Sequence, residues 1–95
     1  MPAYLIAQVN VTDPVKFQEY AKLAAPIAAR HGGKYLVRGG ARVELEGTIP
    51  FSRIVVAEYP DVESAKRFYY SPEYQAAREK RLGAAEVNMV IVEGA

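Results

Sequence analysis

Residues 3–11 read Ala-Tyr-Leu-Ile-Ala-Gln-Val-Asn-Val, the alternation of a β-strand that lacks a clearly polar face. One face is fully apolar and carries Leu5, Ala7, Val9 and Val11. The other is mixed and only weakly polar, and carries Tyr4, Ile6, Gln8 and Asn10. Because helices can cover only one face of a small sheet, the second face needs another cover, and a second copy of the chain is the simplest one. The stretch therefore predicts a homodimer.

A helical block begins directly after this strand. Asp13 suits the N-cap and Pro14 the first helical position. Apolar residues then recur at helical spacing and mark the buried face: Phe17, Tyr20, Ala21, Ala24, Ile27 and Ala28. Pro26 lies inside this pattern and predicts a kink or a split near Ala25. The block ends at His31-Gly32-Gly33, where glycine can take the left-handed conformation.

Three further strands are predicted, at residues 34–38, 52–59 and 86–93. Between the first two of these, Val43 and Leu45 alternate with charged residues, so residues 41–46 are interpreted as an edge strand or hairpin arm. A second helical block lies before the last strand. Asp61 caps its first piece, Ser71-Pro72-Glu73 restarts it, and its second piece runs to about Leu82.

The resulting order is strand, helix, strand, strand, helix, strand, with residues 1–95 as one domain. Each half contains a strand, a capped helix and a strand, which is typical of an α+β, ferredoxin-like sandwich. Right-handed crossovers place the first and third strands in the centre of the sheet and both helical blocks on one face.

Composition excludes several function classes. The chain has 12 basic and 11 acidic residues, a net charge of +1, and therefore no electrostatic case for a nucleic acid or anionic membrane partner. It contains no cysteine, so disulfides, thiolate catalysis and cysteine-based zinc sites are excluded, and its one histidine cannot build a multi-histidine metal site. No apolar run is long enough to span a bilayer, and we expect a cytoplasmic protein.

Five stretches together resemble one small bacterial family, the domain of unknown function 1330. They are Val11-Thr12-Asp13-Pro14, residues 31–40 (His-Gly-Gly-Lys-Tyr-Leu-Val-Arg-Gly-Gly), Tyr59-Pro60-Asp61, residues 71–75 (Ser-Pro-Glu-Tyr-Gln) and residues 90–94 (Val-Ile-Val-Glu-Gly). The resemblance covers nearly the whole chain. It implies a ferredoxin-like unit that pairs sheet to sheet in the manner of dimeric α/β barrels. That superfamily includes small monooxygenases, isomerases and haem-binding proteins, so a ligand cavity is implied without a particular chemistry.

The open face of the sheet is the first candidate site. It should display Gln8, Asn10, Ser52 and Glu58, joined through the same alternation by Arg38 and Asn88. Above an apolar floor of Ile6, Ile54, Val56 and Val90, these polar groups would form a ligand pocket. We favour the alternative, in which the same groups pair across the two-fold axis of a dimer.

Two single residues also have alternative interpretations. Arg38 precedes Gly39-Gly40 and could bind a carboxylate together with the glycine amides, or it could be a surface arginine beside a tight turn. His31 is the default general base, because its ordinary pKa lies near neutrality. A helix-end role for His31, favourable to the helix dipole, is the preferred interpretation.

An aromatic and basic cluster lies in the second helical block: Tyr69, Tyr70, Tyr74 and Arg78. Tyr74 and Arg78 are four residues apart and share a helix face. In a functional interpretation a tyrosine hydroxyl polarises a carbonyl or phenol while Arg78 holds an acid group. In the alternative, which we favour, one ring packs in the core and the others cover it.

The start of the chain provides a minor alternative. Removal of Met1 would expose the amine of Pro2, and tautomerases use such an amine as their base. The remainder of the chain resembles a different family, which opposes this interpretation.

Two functional hypotheses follow. In the first, a homodimer binds or converts a small acidic or aromatic molecule between sheet and helices, near Arg38, Tyr74 and Arg78, with His31 or a tyrosine as the proton-transfer group. The ligand-binding candidates are Gln8, Asn10, Arg38, Glu58, Tyr69 and Arg78, and the catalytic candidates are His31 and Tyr74. Neither a metal nor a flavin is required. In the second hypothesis the dimer is structural or regulatory and has no ligand.

Overall fold

A four-stranded antiparallel sheet carries three helices in the computed structural model, which describes residues 1–95. The elements in chain order are β1 (Ala3–Val11), α1 (Pro14–Arg30), β2 (Lys34–Arg38), β3 (Arg53–Tyr59), α2 (Val62–Tyr70), α3 (Pro72–Glu79) and β4 (Ala85–Glu93). The sheet order is β2-β3-β1-β4. The predicted α+β order is confirmed, and the first and third strands are central as expected.

The two faces of the sheet differ in burial, as the alternation in β1 predicts. Leu5, Ala7 and Val9 are buried, whereas Ile6 and Gln8 are only partly buried. The molecule measures 16 Å along its shortest axis, which matches one helical layer on one sheet, since packed layers are about 10 Å apart. Helices therefore cover one face, and the other is open.

Side chains from both layers form the core. The buried cluster contains Leu5, Ala7, Val9, Phe17, Ala24, Ile27, Ala28, Ala57, Tyr59, Ala65, Phe68, Tyr74 and Ala77. The buried face predicted for α1 is confirmed, with Tyr20 and Ala21 partly buried at its margin.

Local capping chemistry fixes the helix ends. The carboxylate of Asp13 accepts a hydrogen bond from the backbone N–H of Lys16 (3.1 Å) and caps α1. Helix α1 then runs unbroken through Pro26, so the predicted split near Ala25 does not occur. Pro26 removes the hydrogen bond to the carbonyl of Lys22, and both residues are exposed, so that water can replace the lost donor.

Ser71 divides the second helical block, as predicted. Its hydroxyl donates to the carbonyl of Phe68 at the end of α2 (2.8 Å) and accepts from the N–H of Tyr74 at the start of α3 (3.1 Å). Helix α3 ends at Glu79 rather than near Leu82. Beyond Glu79 the backbone hydrogen bonds join residues three apart, as in a 3₁₀ turn; for example, the N–H of Arg81 donates to the carbonyl of Arg78.

The segment 39–52, which we name the arm, corrects the sequence-based prediction of an edge strand at residues 41–46. The arm pairs with no strand, although Arg42 donates to the carbonyls of Ile49 and Phe51 and thereby braces it. Val43 and Leu45 are 84% and 90% exposed. The alternation that suggested a strand has no partner edge within the chain, and a strand needs one.

Strand β2 contains a bulge between Tyr35 and Val37. As a result Tyr35 and Arg38 pair with Ala57 and Val55, which share the helix-covered face. The expected place of Arg38 on the open face is therefore wrong, because the extra residue of a bulge reverses the alternation beyond it.

None of the three helices has both the length and the hydropathy that crossing a membrane requires.

Candidate functional site

A cavity of about 80 Å³ lies between the sheet and the helices. Short side chains create it, because Ala7 and Ala57 on the sheet oppose Ala21 and Ala24 on α1. Larger residues at these positions would close the space. One buried water needs about 15 Å³, so the cavity holds several waters or part of a small molecule.

Eighteen residues line the cavity, and fifteen of them are hydrophobic. The other three are Arg38, Arg53 and Arg81. No carboxylate lines the cavity, and the ion pairs of the molecule use other cations, so none of these arginines has an acidic partner. The cavity is apolar with a concentrated positive charge.

Each of the three guanidinium groups lies over an aromatic ring instead. Arg38 is 4.4 Å from the ring centre of Tyr35, and Arg53 is 5.8 Å from that of Phe17. Arg81 is 5.2 Å from the ring centre of Tyr20. Such contacts stabilise a cation by about 0.5–2 kcal/mol, but they provide no hydrogen-bond acceptor in the plane of the guanidinium.

The arginines differ in burial. Arg38 is exposed, Arg53 is half-buried, and Arg81 is only 6% exposed. The Nε atoms of Arg53 and Arg81 are buried and have no hydrogen-bond partner. Burial alone would lower the pKa of Arg81, but its interactions with the hydroxyls of Tyr74 and Tyr20 outweigh burial and raise that pKa. Arg81 is therefore a buried cation at every physiological pH.

Four tyrosines complete the polar groups of the cavity. The hydroxyls of Tyr20 and Tyr74 are hydrogen-bonded at 2.8 Å, and the hydroxyl of Tyr59 is buried without a partner. Burial is the main cause that raises the pKa of Tyr20, of Tyr35 and of Tyr59, and Arg38 partly opposes it at Tyr35. At neutral pH these three phenols are uncharged.

Two of the sequence-predicted residues line this cavity, namely Arg38 and Tyr74. Tyr69 packs with its ring centre 5.4 Å from that of Tyr74, but it does not line the cavity. Arg78 does not line it either, and its buried Nε atom has no partner. The predicted cluster is therefore not a single site: of its four residues only Tyr74 lines the cavity, and Tyr69, Tyr70 and Arg78 lie outside the lining.

Gln8, Asn10 and Glu58 lie on the opposite, open face of the sheet. There Gln8 is aligned with Ile54 and Asn88, as the alternation predicts. The side chain of Asn10 anchors the end of the arm: its amide donates to the carbonyl of Pro50 (3.0 Å), and its oxygen accepts from the N–H of Ser52 (2.7 Å).

His31 is the C-cap of α1, as favoured from the sequence. Its Nε2 atom lies 3.3 Å from Oε1 of Glu73, whose other oxygen accepts from Arg30 at 2.8 Å. These two partners lower the pKa of Glu73, with the hydrogen bond from Arg30 as the first cause. His31 therefore joins α1 to α3 and does not line the cavity. Pro2 is exposed, also lies outside the lining, and its carbonyl accepts from the N–H of Gly94.

Arg53 and Arg81 are cavity residues that the sequence reasoning missed. Arg53 lies two residues before Val55 on a strand whose buried face continues with Ala57 and Tyr59, so its direction follows from the alternation. Arg81 follows Tyr74 and Ala77 at helical spacing. That spacing indicates that Arg81 is on the same buried side as Tyr74 and Ala77. The charged residues from Arg78 to Arg81 instead suggest a solvated helix face, which is why the signal was missed.

The family model for a domain of unknown function, DUF1330, matches residues 2–95. The chain belongs to the DUF1330 family. The resemblance found in the sequence is confirmed. No protein of curated function matches this DUF1330 chain.

Solved structures with the same fold have diverged far in sequence. RPA0582 from Rhodopseudomonas palustris, a protein of unknown function, is 20% identical, with a TM-score of 0.79 over 99% of this chain and 82% of its own. A dimeric ferredoxin-like protein of unknown function from Thermobifida fusca is 17% identical, with a TM-score of 0.64 over 99% and 92%. SnoaB from Streptomyces nogalater, a cofactor-independent oxygenase, is 14% identical, with a TM-score of 0.70 over 99% and 93%. The predicted ferredoxin-like fold is thus confirmed.

Proposed function

We propose that this DUF1330 protein is a homodimer that binds a small acidic or aromatic molecule in the cavity between sheet and helices. One observation carries the proposal: three arginines and no carboxylate line an otherwise apolar cavity. Burial of Arg81, and in part of Arg53, without an acidic partner is costly, and an anionic ligand would relieve that cost. The aromatic lining offers flat apolar contacts to a ring.

The alternative, a dimer without a ligand, predicts a filled interior in which each buried polar atom is paired. The cavity and the unpartnered atoms Arg53 Nε, Arg81 Nε and Tyr59 Oη favour the ligand. We assign Arg38 and Tyr74 to the ligand site, while Gln8, Asn10 and Glu58 belong to the face proposed for dimer contact.

Conversion of the ligand is a second candidate function, and the tyrosine pair favours it. Tyr74 is the residue we propose for proton transfer, since it lines the cavity and its hydroxyl shares a hydrogen bond with that of Tyr20. His31 is less suitable because it is held by Glu73 outside the lining. SnoaB, which has this fold, is an oxygenase that needs no cofactor, so we propose no cofactor here.

The proposed dimer pairs the open faces of two sheets. Apolar side chains on or beside that face remain exposed in the single chain: Leu36, Val37, Val90 and Val92. Contiguous exposed apolar surface of this kind marks a contact site. Neighbours of this fold that are dimeric, such as the protein from Thermobifida fusca, support the proposal of a dimer. A cytoplasmic location stays a prediction.

Native mass spectrometry of freshly purified protein tests both parts of the proposal. We expect the mass of two chains, and after addition of a panel of small aromatic acids we expect one bound molecule per chain. A monomer would contradict the proposed dimer. A dimer that binds no acidic or aromatic compound of the panel, and carries none from the cell, would contradict the proposed ligand site.

A further inference from the structure

Arg81 occupies an unusual position for a free cation. It is 6% exposed in the turn after α3, it lines the cavity, and its Nε atom has no hydrogen-bond partner. Buried arginines are normally paired, because the loss of hydration costs several kcal/mol per ion. Here no carboxylate lies within ion-pair distance.

The groups around Arg81 neither neutralise its charge nor accept a hydrogen bond from its Nε atom. The guanidinium lies 5.2 Å from the ring centre of Tyr20, whose hydroxyl is 2.8 Å from that of Tyr74. A guanidinium only donates. The two hydroxyls carry two hydrogens, of which their mutual bond uses one, so the other can also be donated. The missing component is an anion with acceptor atoms.

We propose that Arg81 and the Tyr20–Tyr74 hydroxyl pair form an inner anion subsite that takes the carboxylate of a small monocarboxylic acid. This inference rests on the proposed ligand-binding function and adds the class of ligand and its orientation. A carboxylate has two oxygens, so it can accept from the guanidinium and from a tyrosine hydroxyl at the same time. The deepest cation of the cavity therefore binds the charged end.

The size of the cavity determines the orientation. An engineered cavity of about 150 Å³ is large enough for benzene, and the present one is about 80 Å³. The cavity therefore holds the carboxylate and a few carbons. The rest of the acid extends toward the solvent side of the cavity, where Arg38 is exposed.

Benzoate and its neutral isostere benzamide, titrated calorimetrically into the dimer at pH 7, test this subsite. We expect benzoate to bind the wild type tenfold or more tightly than benzamide, since a charge-assisted hydrogen bond in a desolvated site exceeds a neutral one. In Arg81→Met, which keeps much of the apolar volume, the preference for benzoate should disappear. Arg67→Met is the matched control, because Arg67 is exposed and does not line the cavity, and there the preference should remain.

Equal affinities for the two probes in the wild type would overturn the subsite, and so would an unchanged preference in Arg81→Met. Either result leaves the proposed function intact, because the probes still bind. Failure of both probes would also overturn the subsite, while the wider panel of acids decides the proposed function separately. If Arg81→Met does not fold, the Nε–H resonance of Arg81 in the wild type replaces it. Benzoate should shift that resonance and benzamide should not. A resonance that benzoate leaves unchanged, or that both probes shift equally, would contradict the inference.

Discussion

The hydroxyl oxygens of Tyr20 and Tyr74 lie 2.8 Å apart and connect α1 to α3 at the wall of the cavity. Tyr74 is fully buried, and its ring meets that of Tyr20 edge to face at 6.1 Å. Each hydroxyl satisfies the other where water has little access. The pair is therefore a structural contact between the helices, and it also belongs to the proposed subsite, where the guanidinium of Arg81 lies 5.2 Å from the ring centre of Tyr20.

The hydroxyls of Tyr20 and Tyr74 should be energetically coupled. Tyr20→Phe and Tyr74→Phe each leave the other hydroxyl without its partner, so we expect each to lower the free energy of unfolding by about 1–2 kcal/mol. The double variant should lose clearly less than the sum of the two, because no unpaired hydroxyl remains. Urea denaturation of the four proteins measures this coupling. Strictly additive losses would show that the two hydroxyls do not interact.

Alkaline pH should destabilise the protein through its buried tyrosines. Burial raises the pKa of Tyr59 above the ordinary value of 10.0, so the folded state favours the neutral phenol. This contribution to stability is fully present below pH 10 and is lost as the pH rises, since the unfolded chain then ionises first. Between the pKa of the group in the unfolded chain and its pKa in the folded protein, each such group lowers the free energy of unfolding by up to about 1.4 kcal/mol per pH unit.

Tyr59→Phe should therefore weaken the loss of stability between pH 9 and 11, in urea titrations followed by circular dichroism. At neutral pH the variant should be as stable as the wild type or more so, because the removed hydroxyl has no partner. Tyr70→Phe is the control: Tyr70 is 70% exposed, and the alkaline loss should not change. An unchanged alkaline loss in Tyr59→Phe would contradict the explanation.

Features that depend on neighbouring residues were predictable from the sequence. Asp13, Asp61 and Ser71 cap helices because each side chain accepts from an N–H three residues later, and the spacing alone specifies that geometry. The apolar alternation of β1 likewise predicted the helix-covered face. These elements need no knowledge of the rest of the fold.

Features that depend on distant partners were not predictable. The bulge in β2 reverses the direction of Arg38, and a bulge is determined by how two strands pair rather than by the residues of one. The arm alternates like a strand but has no edge to pair with. Arg81 looks like part of a solvated basic run, and this appearance hides the helical spacing that relates it to the buried residues Tyr74 and Ala77.

Gly33 should be intolerant of a side chain. A Cβ atom at this position would lie 2.7 Å from Cζ of Tyr59, whose side chain is fully buried, so the ring would have to shift. We expect Gly33→Ala to lower the free energy of unfolding by about 1–3 kcal/mol, the usual cost of overpacking. Gly40→Ala provides the control, since no heavy atom lies within 4 Å there. Equal stability of the two variants in urea would show that the ring of Tyr59 can shift.

Filling the cavity should abolish ligand binding without a large effect on the stability of the fold. Ala24→Leu places three more carbons into the cavity, so we expect ligand binding to be lost while the free energy of unfolding changes by about 1 kcal/mol or less. Ala29→Leu on the exposed side of α1 is the matched control and should bind as the wild type does. Calorimetry with benzoate and urea denaturation provide the two measurements. Undiminished binding in Ala24→Leu would place the ligand elsewhere.

The open sheet face should control assembly. Ile54 is aligned with Gln8 on that face, and a carboxylate there would be buried without a partner in a sheet-to-sheet dimer. We expect Ile54→Glu to shift the protein to a monomer, as measured by light scattering after size exclusion. Val15→Glu on α1 is the control, because Val15 is 76% exposed on the helical side, and its variant should remain dimeric. If Ile54→Glu were to stay dimeric while Val15→Glu dissociated, the helices and not the sheet would form the interface.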